Sequence, residues 1–169
     1  MSKQILLCVE SNAKSRTDYV YIKSTINRFY DERKAIIRPI FLDSKTKYKD
    51  NGKIKEINKK IKDFDGNTAV IYFIDYDNSD ISSETRKLFI EIKDFCYKNG
   101  FEFVYFCKDI EDVYWGEQVS DSKKVDKASD FNRLEMINSV KESRLKATDY
   151  KRHCSNILIV LDKFLFRKN

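Results

Sequence analysis

Three observations predict an α/β fold built on a mainly parallel four-stranded sheet. Four short apolar runs alternate with three amphipathic stretches. The links between them are short and carry turn residues. Alternation of this kind lays helices over a parallel sheet in βαβαβαβ order. The third apolar run, AVIYFIDYDNSD at Ala69–Asp80, stops abruptly on carboxylates. Ligands of parallel sheets bind outside the carboxyl ends of the strands.

The elements follow in order. Ile5–Val9 is a continuous apolar run, hence a buried strand, and it ends on Glu10. Thr17 is the expected N-cap of a helix over Asp18–Tyr30, where Tyr19, Ile22, Ile26 and Phe29 recur at helical spacing. Ala35–Leu42 reads as a second strand. Pro39 donates no ladder hydrogen bond, which puts that strand at an edge. After an Asn51-Gly52 turn, Ile54, Ile57, Ile61 and Phe64 mark a helix. The Asp65-Gly66-Asn67 turn leads to a third strand, Thr68–Ile74. Ser82–Lys98 is a helix capped by Ser82 or Ser83 and closed by Asn99-Gly100, with Leu88, Phe89, Ile92, Phe95 and Cys96 on its apolar face. Phe101–Phe106 is the fourth strand. Residues 1–107 thus form an α/β domain, and residues 108–169 a loop and C-terminal helices packed on it. In that tail, Lys108–Trp115 is polar with an aromatic pair, and Gly116–Ala128 lacks apolar periodicity and reads as a loop. Ser129-Asp130 is expected to cap a helix striped by Phe131, Leu134, Ile137 and Val140. A last helix is expected over Cys154–Phe166, with Ile157, Leu158, Val160, Leu161 and Leu165 inward.

Composition excludes several classes. A chain of 169 residues, 41% hydrophobic and 36% charged, is long enough for a real core and reads as soluble. No apolar run approaches the ~20 residues that cross a bilayer, so no membrane association is expected. The N-terminal MSKQ runs straight into the first strand without a signal-peptide pattern, which points to the cytoplasm. Four cysteines without a CxxC read as reduced thiols rather than structural zinc ligands. A single histidine, His153, argues against a Ser-His-Asp or two-histidine metal mechanism and reads as a surface residue. With four glycines and neither a Walker A motif nor a GxGxxG fingerprint, ATP hydrolysis and dinucleotide binding by this chain are not expected. A net charge of +6 suits a polyanionic partner such as nucleic acid, although a solvated Lys-rich face has the same composition.

Asp75 and Asp77 stand at i and i+2, so in a strand they aim at one volume. Two such anions repel, and a hard divalent cation offsets the repulsion. A solvated turn is the plainer reading, since Asp and Asn favour turns. Glu10 ends the first strand as Asp75 and Asp77 end the third, and these carboxylates converge if the two strands are neighbours. Lys14 and Arg16 follow Glu10 in a loop and either neutralise a phosphate or are simply solvated. Tyr114 and Trp115 either stack on bases or plug a helix–loop junction.

A Glu ending the first strand with DxD ending the third resembles the Toprim domain over Gln4–Cys107. The resemblance is sharpest toward the OLD and RloB-like nucleases. There the strand-ending Glu precedes a helix start like Thr17-Asp18-Tyr19-Val20-Tyr21-Ile22, and an acidic element like Ile110-Glu111-Asp112 follows the fourth strand. Ser11 replaces the usual Gly after the Glu, the loop Ser11–Arg16 is longer, and Asn78-Ser79-Asp80 departs from the topoisomerase and primase continuation, which sets those two roles aside. The resemblance implies a nuclease dependent on Mg²⁺ or Mn²⁺. Glu10, Asp75 and Asp77 would be catalytic and, with Asp18, metal ligands; Lys14, Arg16, Asp80 and Glu111 would support them. It further implies a role in phage defence or a mobile element, with a separate ATPase or a second copy of the chain as partner. The alternative is an inactive Toprim-like binding subunit or adaptor in a larger complex.

Overall fold

A computed structural model describes residues 2–76 and 83–168. Its centre is a four-stranded, all-parallel sheet of β1 (Lys3–Val9), β2 (Ile36–Phe41), β3 (Asn67–Tyr76) and β4 (Glu102–Cys107), in the order β2-β1-β3-β4. Pro39 therefore lies in an edge strand, as its missing donor requires. Every residue from Ile5 to Val9 is fully buried, because β1 is covered on both faces.

The two faces belong to different cores. Ile5, Leu7 and Val9 join Ile71 and Phe73 against α1 (Thr17–Phe29), through Tyr21, Ile22 and Ile26. Leu6 and Cys8 join Val70, Tyr72 and Ile74 on the other side, against α2 (Asn51–Lys62) and α3 (Ser83–Lys98), through Ile57, Phe89, Ile92 and Cys96. This is the period-two alternation of a strand buried twice over. The chain leaves β1 toward β2 over one face and returns past β1 to β3 over the other. The strand order thus reverses between β1 and β3, opening a crevice at their carboxyl ends.

Local signals explain the boundaries. The α2 helix starts at Asn51, earlier than its apolar spacing suggests, because the Asp50 carboxylate accepts hydrogen bonds from the Gly52 and Lys53 amides at 2.9 and 3.2 Å. Gly100, at φ 67°, ends α3 while the Phe101 amide donates to the Cys96 carbonyl at 2.8 Å. Thr17 is the first residue of α1 rather than its cap; that position belongs to Arg16, at φ 54°, with no side-chain cap. Ser82 lies outside the described residues.

The tail differs more from expectation. Residues 110–115 form α4 (Ile110–Trp115), capped by the Asp109 carboxylate, which accepts from the Asp112 amide at 2.7 Å. The expected loop holds a 3₁₀ turn at Asp121–Lys123 and the start of α5 (Lys124–Arg133), so Ser129-Asp130 sits inside a helix. The expected stripe is broken at Glu135, at φ 50°. Phe131 and Ile137 are buried, and Leu134 is 52% exposed. The last helix is only α6 (Ile157–Leu161).

An unsatisfied strand edge shortens that last helix. Phe106 bridges Ser155 in antiparallel fashion, and the Cys107 amide donates to the Cys154 carbonyl at 2.9 Å. The Asn156 carboxamide then completes the ladder, accepting from the Tyr105 amide at 3.0 Å and donating to the Phe103 carbonyl at 3.1 Å. Residues that satisfy the β4 edge cannot also be helical. Tail residues Val113, Tyr114, Phe131, Leu145, Leu158 and Leu161 share one core with α1 and the sheet, so the tail forms much of that covering layer. Among the described residues no helix is long and apolar enough to cross a membrane.

Asn156→Ala leaves one amide and one carbonyl of β4 without partners and is expected to cost about 1–3 kcal/mol. Leu134→Ala, at an exposed position, is expected to change stability by less than about 0.5 kcal/mol. Urea unfolding of both variants measures the difference.

Candidate active site

Carboxylates gather at the crevice where the strand order reverses. Glu10 follows β1 directly, and its Oε1 accepts a hydrogen bond from the Asp75 amide of β3 at 2.6 Å. The parallel register, which pairs Val9 with Phe73, brings these two strand ends level. Asp18, in the first turn of α1, accepts from the Ser11 amide through Oδ2 at 2.9 Å and contacts the Thr17 hydroxyl through Oδ1 at 3.2 Å. It ties the helix to the loop that leaves Glu10. Ser11 is not among the residues with positive φ, so its backbone has no need of glycine; the left-handed residue of this loop is Arg16.

The opposite wall comes from the tail. Asp109 precedes α4 and Glu111 lies in its first turn. Glu111 is 1% exposed, and neither of its carboxylate oxygens accepts a hydrogen bond among the described residues. The Lys124 ammonium of α5 lies 3.4 Å from Glu111 Oε2 and 3.5 Å from Asp121 Oδ1. From the β2 side, the Lys45 ammonium donates to the Asp75 carbonyl at 3.3 Å. The buried Ser11 hydroxyl makes no hydrogen bond among the described residues.

Electrostatics couple these groups. Burial, then the charges of Glu10, Asp18, Glu111 and Asp109, push the Asp75 carboxyl well above the usual carboxylate range. Asp18 is raised by burial, against the opposing pull of the Ser11 amide, the Thr17 hydroxyl and Lys124. Burial also raises Asp109. Glu111 is pushed up to about 7, chiefly by burial, with Lys124 resisting and Asp18 and Asp109 adding to the rise. Burial alone would weaken the Lys124 ammonium, but Glu111, Asp109, Asp75 and Asp121 outweigh it and keep the lysine charged.

The structure therefore groups Glu10, Asp18, Asp75 and Glu111 from among the residues singled out by sequence. Asp77 and Asp80 lie outside the described residues. Lys14 is exposed, and the Asn12 carboxamide accepts from its amide at 3.0 Å. The Arg16 guanidinium lies 5.4 Å from the centre of the Phe41 ring, and its Nε donates to the Ala13 carbonyl. Tyr114 is not an exposed stacking platform. It is 4% exposed, its hydroxyl lies 2.6 Å from that of Thr25, and its ring stacks on Tyr21. Trp115 is half-buried; its indole N–H donates to the Tyr21 hydroxyl at 3.0 Å, and Lys127 covers its ring. A polar sequence hid an amphipathic helix whose aromatic side faces the core.

His153 is half-buried rather than a plain surface residue. Its Nδ1 stands 2.8 Å from Oδ2 of the fully buried Asp112 and links the C-terminal segment to α4. Sequence reasoning missed Asp109, Lys45 and Lys124. The cap position of Asp109 before an acidic turn is a legible signal; Lys124 has none, lying in a stretch without apolar periodicity. Among the described residues, no three His, Cys, Asp or Glu side chains sit close enough together to hold a metal ion. No protein-family model, curated protein or solved structure matches the chain.

A buried carboxyl with a raised pKa favours the folded state while protonated and loses that advantage as pH rises. In metal-free buffer, stability is therefore expected to fall between pH 4.5, the ordinary value for Glu, and about 7, the value for Glu111. Glu111→Gln is expected to flatten this fall by on the order of 1–3 kcal/mol. Denaturant midpoints across that range, for the wild type and the variant, test it.

Proposed function

We propose that the chain is a metal-dependent phosphodiesterase that cuts DNA or RNA. The observation that carries this reading is the meeting of Glu10 and Asp75 at the crevice between β1 and β3. Asp18, Asp109 and Glu111 surround them, and the Lys124 cation lies beside Glu111.

The oxygen donors at the strand ends are of the type that suits Mg²⁺ or Mn²⁺. Hard oxygen ligands suit these ions, and the crowded carboxylates repel one another until a cation is added. The buried Glu111 carboxylate accepts no hydrogen bond among the described residues, and the Lys124 ammonium at 3.4 Å answers its charge only from one side. Glu10 and Asp75 would hold the ion together with Asp77, since Glu10, Asp18 and Asp75 do not by themselves form a three-carboxylate metal group. The bound ion would supply charge neutralisation and a more acidic water. Glu10, fixed by the Asp75 amide, orients the attacking water. The Lys124 ammonium, charged in its acidic surroundings, offsets the negative charge that grows on the phosphate oxygens. Asp18 sets the loop after Glu10 through the Ser11 amide and so holds Glu10 in place. In keeping with the resemblance to OLD and RloB-like nucleases, a separate ATPase or a second copy of the chain would be the partner, in phage defence or a mobile element.

A binding subunit without catalysis is the second reading. It is favoured by one observation, that no three described acidic, Cys or His side chains are arranged to hold a metal ion.

Incubation with labelled RNA, single-stranded DNA and plasmid separates the two. Cleavage is expected with Mg²⁺ or Mn²⁺ and none in EDTA. Glu10→Gln and Asp77→Asn should each lower the rate about 10²–10³-fold. Asp75→Asn should abolish the rise in melting temperature caused by Mn²⁺ while leaving the metal-free protein as stable or more stable, because it removes a repelling charge. Neither Mn²⁺ binding nor cleavage would leave the binding subunit as the better account.

A further inference from the structure

A second feature lies at the other end of the sheet, at the amino ends of β1 and β2. A cleft of about 750 Å³ is lined by residues 30–34 and 166–168. The segment at 166–168 runs antiparallel to the end of α1. The Asp31 amide donates to the Phe166 carbonyl and the Lys168 amide to the Phe29 carbonyl, each at 2.9 Å, and Tyr30 bridges Arg167. This pairing holds the Phe166 ring on the surface, 59% exposed. Two ammonium groups stand over that ring, Lys34 at 4.7 Å and Lys3 at 5.9 Å from its centre.

The charges here do not cancel. Asp31 is gripped by the Arg33 guanidinium through Nε at 2.9 Å and Nη2 at 3.0 Å. Glu32 pairs with Lys23, and Asp162 with Arg167. Each of these acids is answered within the protein, while Lys3, Lys34 and Lys168 make no ion pair among the described residues; Lys3 and Lys168 donate to the Phe164 and Asn27 carbonyls, which leave their charge uncancelled. The cleft thus joins a largely exposed aromatic ring, reached by two flexible lysine side chains, to surplus positive charge.

We propose that this cleft binds single-stranded nucleic acid, with a base stacked on Phe166 and the adjoining phosphates held by Lys3, Lys34 and Lys168. An aromatic platform flanked by cations suits an unpaired strand, because only an unstacked base offers its face. A duplex presents phosphates but keeps its base faces inside. The seven residues of β1 separate the cleft from Glu10, a span of roughly 23 Å at the usual rise of a strand. The cleft is therefore an anchoring surface apart from the acidic crevice, and it holds whether or not the crevice is catalytic.

The test is fluorescence anisotropy with a short fluorescein-labelled oligothymidylate and the matching duplex, in EDTA and across a salt series. The wild type is expected to bind the single strand more tightly than the duplex. Phe166→Ala should weaken single-strand binding about 5- to 100-fold. Lys34→Glu combined with Lys168→Glu should reduce the slope of log affinity against log salt by roughly 1.4, as for two lost phosphate contacts. Circular dichroism confirms that each variant is folded. Unchanged binding in both variants overturns the proposal, as does equal duplex binding unaffected by Phe166→Ala, or binding to phosphatidylserine vesicles but not to the oligonucleotide. Because EDTA stops cleavage, a failure of the nuclease reading leaves this result intact, and the converse holds.

Discussion

The parallel pairing of β1 with β3, in register from Lys3 beside Asn67 to Val9 beside Phe73, is the constraint on which the rest depends. Both strands are buried on two faces, so their polar backbone has no water to turn to and must pair along its length. That requirement carries each strand to the sheet's carboxyl edge, where Glu10 and Asp75 meet. A shift of one residue would send Leu6 and Cys8 to the wrong core and separate the two acids. Core packing and site geometry are thus set by one register.

The acidic crevice works against folding. Asp75 and Glu111 are carboxyl groups held where water is scarce; Glu111 adds to the resistance of Asp75 to ionisation, as Asp18 and Asp109 add to that of Glu111. The fold tolerates them because two cores and a complete β ladder surround them. Lys124 offsets part of the repulsion from a helix that belongs to neither strand. Crowded buried carboxyls of this kind cluster at sites of binding or chemistry more often than elsewhere.

Much of the sheet was legible in the sequence, for a physical reason. Strands buried on both faces are continuous apolar runs, and helices on a sheet show one apolar stripe, so Ile5–Val9 and the face of α3 announced themselves. Pro39 announced an edge. Glu10, Asp18, Asp75 and Glu111 were legible because each stands next to a strand end or in a helix's first turn. The tail was not, because its structure answers needs that arise elsewhere in the fold. Asn156 is read as a helix residue until the β4 edge is known to need its carboxamide, and Tyr114 looks exposed until α1 offers Thr25 and Tyr21. Long-range partners of this kind leave no mark at the spacing of three, four or two residues.

The Asn156 carboxamide has a bearing on quaternary structure. It occupies the backbone groups of Tyr105 and Phe103 that a strand from another molecule would use. At the opposite border, Pro39 withholds a donor from β2. The sheet is therefore poorly built to continue from one subunit into the next. Helices and loops offer a second copy of this chain more to grip than either border of its sheet does.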